Sequence, residues 1–273
     1  MYNKILTIQD ISCYGQCSLT VALPILSASK NEAVILPSAL LSTHTLGFKN
    51  FTCLDLTSEM KKIINHWKEE NLVFDVLYTG YLGNDGQVDA TFDVLPLLKK
   101  DAIKIIDPAM GDGGKLYPAF DLNYVEQIKK LCVIGDIILP NLTEACFLTG
   151  IEYKENHDEK YIYEILHALR NLSMKKIVLK GANIVPNKMR IYVYDEEISY
   201  YEHDKISKSF HGTGDIFASA FVGKYLQTND LMESTKFAAN FVVDAIKETL
   251  NDDSHWYGVE FEKILYKLAE ENK

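Results

Sequence analysis

Short apolar runs alternate along this chain with longer stretches in which apolar residues recur every three or four positions. The runs at 5–8, 34–36, 76–79, 103–106, 137–139 and 177–179 are nearly continuous in apolar residues, the pattern of strands covered on both faces. Between them the helical period predicts helices near 19–29, 58–69, 87–99, 122–131, 142–148 and 161–172, then near 216–227, 231–250 and 260–271. Such alternation predicts an α/β three-layer sandwich: a mainly parallel central sheet, right-handed crossovers and helices on both faces. Residues 190–194 and 198–202 alternate in polarity on either side of Asp195-Glu196-Glu197, which predicts an antiparallel hairpin at one edge. No linker, repeat or low-complexity tract divides the chain, so residues 1–273 are expected to form a single domain.

In an open parallel sheet, ligands bind beyond the carboxyl ends of the strands. Polar, charged and glycine residues recur there: Asp10 after the first run, Tyr81-Leu82-Gly83 after the third, Asp107-Pro108 after the fourth, Asn141-Leu142-Thr143-Glu144 after the fifth and Lys180-Gly181 after the sixth. The segment His211-Gly212-Thr213-Gly214-Asp215 runs straight into the apolar helical pattern beginning at Ile216. Glycines bring bare N–H groups close to a ligand, and a helix start adds unpaired N–H groups and a positive dipole end. Gly212, Thr213 and Gly214 are therefore a candidate anion hole. An aspartate beside an anion makes chemical sense as the base that takes a proton from an attacking hydroxyl, which makes Asp215 the candidate catalytic residue.

Each candidate has a plainer alternative. Asp215 is also a good first-turn helix residue. Asn141 and Glu144, three apart, could face one point as oxygen ligands for Mg²⁺ on nucleotide phosphates, or could form a capping box. Asp107 could orient metal-bound water or phosphate, or serve turn chemistry. Lys180 is either a cation for nucleotide phosphate or a snorkelling residue at a strand end. His44 and His211 read as structural histidines, and most of the tyrosines as packing residues.

The remaining composition removes other classes. The net charge of −10 and the lack of a basic stripe exclude a nucleic-acid partner, while a local anion site still admits an anionic substrate. No apolar run is long enough to span a bilayer and the N-terminus lacks a signal pattern, so a cytoplasmic protein with no membrane partner is expected. The five cysteines form no Cys-x-x-Cys pair and read as reduced thiols, with Cys13 and Cys17 in a candidate site loop. The P-loop, the dinucleotide Gly-x-Gly-x-x-Gly after the first strand, and the Gly-x-Ser-x-Gly elbow are all missing.

Three motifs occur in order: Asp107-Pro108-Ala109-Met110-Gly111-Asp112, Pro140-Asn141-Leu142-Thr143-Glu144-Ala145 and Gly212-Thr213-Gly214-Asp215. They resemble the signature of the ribokinase-like superfamily, specifically its vitamin B6 (pyridoxal/pyridoxamine) kinase branch. Ile8-Gln9-Asp10 with Tyr14-Gly15, Ser42-Thr43-His44-Thr45 and Tyr78-Thr79-Gly80-Tyr81-Leu82-Gly83 resemble that branch's first loop and substrate-side segments, and the similarity runs from about residue 4 to 246. The resemblance implies ATP-dependent phosphorylation of the 5′-hydroxymethyl of pyridoxal, pyridoxamine or pyridoxine, with Mg²⁺ and, as a further candidate cofactor, a monovalent cation. It implies Asp215 as base, Gly212, Thr213 and Gly214 as anion hole, and Asp107, Asn141, Glu144 and Lys180 on the ATP. Asp107 and Glu144 would hold Mg²⁺, partly through water. Asp10, Thr45, Tyr81 and Asp215 would contact the vitamer, and a homodimer is implied. Asp10 departs from the pattern: better-known pyridoxal kinases have serine there, and a carboxylate prefers a cationic partner such as a protonated ring nitrogen or the pyridoxamine amine. A related branch phosphorylates hydroxymethylpyrimidine and commonly carries cysteine where Asp215 stands. The di-glycine substrate motif of the sugar kinases is missing after Asp10. A non-catalytic vitamer- or nucleotide-binding protein on the same fold is the alternative from another class.

Overall fold

The computed structural model describes residues 2–208 and 210–269. Strands β1 (Lys4–Ser12), β2 (Glu32–Leu41), β3 (Cys53–Asp55), β4 (Phe74–Thr79), β5 (Leu98–Ile106), β6 (Gly111–Asp112), β7 (Lys115–Leu116), β8 (Ile137–Ile138), β9 (Lys176–Ala182), β10 (Lys188–Tyr194) and β11 (Ile198–Asp204) alternate with the helices. These are α1 (Leu19–Ala28), α2 (Thr57–Glu69), α3 (Asp85–Asp93), α4 (Leu122–Ile134), α5 (Leu142–Thr149), α6 (Glu159–Asn171), α7 (Thr213–Thr228), α8 (Leu231–Thr249) and α9 (Tyr266–Ala269). One nine-stranded sheet has the order β11-β10-β9-β8-β5-β4-β1-β2-β3. It is parallel from β9 across to β2 and antiparallel at both edges.

The continuous apolar runs have a direct structural meaning. Successive strand residues point to opposite faces. Leu6, Leu77, Ile106, Ile138 and Ile177 feed one core, covered by α2 through α6. Their chain neighbours Ile5, Val76, Ile105, Ile137 and Val178 feed a second core, covered by α1, α7 and α8. Each such side chain removed from water contributes about 1.5–3 kcal/mol, so both helix layers are held by the same strands.

Strand order reverses between β1 and β4, since the chain leaves β1 toward β2 and later builds outward from β4. This is the place where an open α/β sheet forms a ligand crevice. Asp10 lies at the carboxyl end of β1, opposite an irregularity: Gln9 pairs with Pro37 and Ile11 with Leu40, so two β2 residues face Asp10. Bulges of this kind re-aim side chains beside functional sites.

Two helix expectations need correction. The helix expected over 87–99 is α3 alone, followed by a 3₁₀ turn at Leu95–Leu97 and then by β5. Pro96 lacks the donor that would continue the helix. The helix expected over 260–271 is a 3₁₀ turn at Phe261–Ile264 plus the short α9, and residues 270 and 271 lie outside the described residues. Buried Phe261, Ile264 and Leu268 give that stretch its helical period without a continuous helix. Strand β3 and the small β6–β7 sheet were not expected. All three β3 residues are exposed, so no burial pattern announces it. Among the described residues no helix is long and apolar enough to cross a membrane.

Candidate active site

The carboxyl ends of β5, β8 and β9 assemble one side of the site. The backbone of Asp107 continues from β5 with its N–H on Thr79 O at 3.1 Å. Its side chain accepts from the Ala109 N–H at 3.3 Å and from Lys180 Nζ at 2.8 Å. Both partners of that ion pair are largely buried, with Lys180 14% and Asp107 8% exposed at the side chain. Lys180 is therefore not a snorkelling surface residue.

Asn141 and Glu144 realise the capping box. Asn141 Oδ1 accepts the Glu144 N–H at 2.9 Å, and Glu144 Oε2 accepts the Asn141 N–H at 2.7 Å. Both residues also reach across the site: Glu144 Oε1 accepts the Met110 N–H at 3.2 Å, and Asn141 Nδ2 donates to Gly111 O at 2.8 Å. The helix cap thus fastens the 107–112 turn to α5. Burial pushes the Glu144 carboxyl well above its ordinary range; Asp107 pushes it further, and Lys180 opposes both.

The start of α7 supplies the other side. Gly212 sits in the left-handed region at φ 76. A Cβ there would stand 1.9 Å from Gln16 O, so the helix start touches the β1–α1 loop directly. The first helical bond runs from the Ile216 N–H to Gly212 O at 3.0 Å, leaving the N–H groups of Thr213, Gly214 and Asp215 ahead of the ladder. Gly214 is exposed, with nothing within 4 Å of where a Cβ would stand. Gly212→Ala should therefore lose more than about 2 kcal/mol of unfolding free energy, through both the clash and the backbone strain. Gly214→Ala should stay within about 1 kcal/mol of the parent. Denaturant unfolding of the two variants checks this, and equal losses would remove the argument for contact at Gly212.

Asp215 is partly buried and accepts the Ser18 N–H at Oδ2, 2.9 Å away. Burial pushes its carboxyl up to about 7; the Ser18 N–H pulls it back, Asp107 and Asp10 raise it further, and Lys180 lowers it. Asp10, 5% exposed, accepts the hydroxyls of Ser12 at 3.1 Å and Ser18 at 2.5 Å, and burial raises its carboxyl too. Asp107, Glu144 and Asp215 thus act on the cation Lys180, and Asp10 acts in turn on Asp215.

Tyr81 packs against Phe120 at 5.4 Å, and burial followed by Asp10 and Cys53 pushes its hydroxyl up to about 12. Thr45 is not brought into this cluster; it is exposed in its loop, and the buried residue beside it is His44. His44 Nδ1 accepts the Leu46 N–H at 3.2 Å while Nε2 faces Tyr257 O at 2.7 Å, so Nε2 carries the proton. It packs 5.5 Å from His211, and burial lowers the pKa of both rings. Burial, then Asp215 and Asp10, keep the Cys17 thiol protonated. Two site residues escape sequence reading. Tyr117 is half-buried, its hydroxyl pushed up by burial and then by the charges of Glu144 and Asp215, and nothing in the sequence separates it from fifteen other tyrosines. Ser18 reads simply as a helix cap.

The family profile described as phosphomethylpyrimidine kinase matches residues 23–259. The chain belongs to that kinase family. Among solved structures, a Bacteroides thetaiotaomicron protein provisionally described as a phosphomethylpyrimidine kinase is 32% identical, with a TM-score of 0.95 over 100% of this chain and 96% of that one. A second crystal form of it contains pyridoxal. Pyridoxal kinase from Lactobacillus plantarum is 29% identical with a TM-score of 0.91, over 97% of this chain and 96% of that one. The hydroxymethylpyrimidine/phosphomethylpyrimidine kinase of Aquifex aeolicus is 29% identical over 62% of this chain and 66% of its own length. The α/β fold of this kinase family member is thus the one expected from its sequence, including the edge hairpin.

Proposed function

We propose that this protein is an ATP-dependent kinase for the 5′-hydroxymethyl group of pyridoxal, pyridoxamine or pyridoxine. The observation that carries the reading is Asp215: a carboxylate at the glycine-bounded start of α7, beside N–H groups outside the helical ladder and held by the Ser18 N–H. There it can take the hydroxyl proton as the oxygen attacks phosphorus, while the N–H groups of Gly212, Thr213 and Gly214 receive the negative oxygens of the transferred group. Lys180, paired with Asp107, offsets phosphate charge on the nucleotide side, and Asn141 holds the 107–112 turn that borders it. Catalysis then rests on positioning and electrostatics, with no covalent intermediate on the protein.

Magnesium ion fits this donor set. Mg²⁺ bound to nucleotide phosphates keeps most of its waters and needs few protein carboxylates, and Asp107 and Glu144, whose oxygens already accept protein hydrogen bonds, would hold it partly through water. When bound, it would neutralise phosphate charge. Asp10 and Tyr81 border the vitamer side.

The second reading, a hydroxymethylpyrimidine kinase, is favoured by the family match and the Aquifex relative. Aspartate at 215, where that branch commonly has cysteine, supports the B6 side. A coupled ADP-release assay with ATP, Mg²⁺ and pyridoxal, pyridoxamine, pyridoxine or hydroxymethylpyrimidine separates them. A B6 vitamer should give the highest kcat/KM. A higher value for the pyrimidine overturns the substrate assignment, and ADP release with none of the four returns the protein to a binding role.

A further inference from the structure

Ser18 stands between two carboxylates of the site. Its hydroxyl donates to Asp10 Oδ1 and its backbone N–H to Asp215 Oδ2. A serine immediately ahead of a helix ordinarily turns its side chain back to cap the helix. Ser18 precedes α1, yet its side chain makes no capping bond. Its carbonyl still accepts the first helical N–H groups, from Val21 at 3.0 Å and Ala22 at 2.9 Å.

The backbone at Ser18 has φ 53 and ψ −127. Residues with a Cβ rarely occupy this region, and such strain persists only where the surroundings over-determine it. The surroundings here are specific. Asp10 is fixed at the end of β1, is itself buried, and takes its second hydroxyl from buried Ser12. The bond from Ser18 Oγ to this anchored carboxylate holds the residue in place. The strained conformation in turn directs the Ser18 N–H onto Asp215.

We infer that Ser18 is a positioning residue for Asp215: its hydroxyl, anchored on Asp10, holds the strained backbone whose N–H orients the Asp215 carboxylate. The inference deepens the proposed function and rests on Asp215 being the base. Asp10 then has a second task beside any contact with the vitamer, because it tethers the substrate side of the site to the catalytic carboxylate. The contact of Gly212 with Gln16 O comes from the same loop, so α7 and the β1–α1 loop are held in register at two points.

Alanine and glycine at position 18 separate this role from simple packing. Alanine withdraws the anchor but keeps the Cβ, so the backbone relaxes and its N–H leaves Asp215. Glycine also withdraws the anchor but adopts the same backbone without strain, so the N–H stays. Ser18→Ala should lower kcat by about 10- to 100-fold, the scale of a misplaced catalytic group, with the KM for ATP within about twofold. The acid limb of its kcat profile should move to higher pH, because the N–H that favours the charged carboxylate is withdrawn. Ser18→Gly should recover most of the lost kcat and return the acid limb toward the parent. Asp10→Ala withdraws the anchor from its other end and should reproduce the fall in kcat, while the loss of the Asp10 charge, which raises the Asp215 carboxyl, works against the shift of the acid limb. It serves in place of Ser18→Ala should that variant not fold. Equal losses in the alanine and glycine variants, with unshifted acid limbs, would reduce Ser18 to a structural residue. Asp215→Asn measured in parallel keeps the two readings apart: normal turnover there removes the base assignment, whereas a dead Asp215→Asn with an unaffected Ser18→Ala removes only the positioning role.

Discussion

Asp215→Asn is expected to lower turnover by about a hundredfold or more and, at pH 8, to make the protein more stable by about 1–2 kcal/mol. The two effects have one origin. The carboxyl of Asp215 is pushed up to about 7 by burial and by Asp107 and Asp10, against the pull of Lys180 and the Ser18 N–H. The folded protein therefore holds a proton that the unfolded chain releases near its ordinary value. Stability from this group is fully present at pH below the unfolded pKa and is lost as pH rises through about 7. Asparagine carries no such cost and still offers an oxygen to the Ser18 N–H. Its stability advantage should appear at pH 8 and vanish at pH 4, read by denaturant unfolding at both values beside kcat with ATP and a vitamer. Near-normal turnover sinks the base assignment, and a stability difference independent of pH sinks its electrostatic origin.

Lys180→Met should be the most damaging single change to the nucleotide side. The ammonium is buried on Asp107 and also faces Glu144 and Asp215. Breaking one side of a buried pair leaves an uncompensated charge, and costs on the order of 3 kcal/mol. Here the remainder is Asp107, Glu144 and Asp215 without the ammonium that faced them. The carboxyl pKa values of Glu144 and Asp215, already raised, should rise further, because Lys180 is the group that lowers both. The loss should accordingly be larger at pH 8 than at pH 5, where the acids take up protons. The KM for ATP should rise about tenfold or more with the phosphate contact gone. Thermal unfolding at the two pH values and ATP titration of the initial rate test this; a loss of equal size at both values would mean that Lys180 acts through packing.

Much of this was legible because burial leaves a periodic trace. The central strands read as strands because both faces are covered, which makes 177–179 continuous in apolar residues and 103–106 nearly so, with Lys104 the exception. The hairpin at the edge read as alternating from its polarity alone: Ile191, Tyr192 and Val193 of β10 are buried in succession, and only β11 is open to water. Strand β3 left no trace, since all three of its residues are exposed and it is held by backbone pairing to Ala39, Leu40 and Leu41. The overlong helix at 87–99 came from reading apolar period past Pro96. Asp10, Asp107, Lys180 and Asp215 stood out as charges placed where an apolar strand ends or an apolar helix begins. Ser18 and Tyr117 did not, because a serine before a helix is the ordinary use of that residue and Tyr117 is one of sixteen tyrosines. Spacing alone left Asn141 and Glu144 divided between a cap and a ligand. The structure shows the cap complete, with Glu144 also tied to the backbone of Met110.

The two cores share the sheet but not their side chains. Leu77 packs with one set of helices and Val76 with the other, and the same division runs through Ile105 and Ile106. Substitutions in contact with one another show non-additive effects, while separated ones add. The sheet therefore acts as a partition for inherited change: a lineage can repack the layer behind α4 and α6 without constraining what is tolerated behind α7 and α8. Asp10, Ser18 and Asp215 have no such freedom, since one hydrogen-bonded chain joins the end of β1 to the start of α7. Drift in the cores and restraint at the sheet's carboxyl edge are two outcomes of the same architecture.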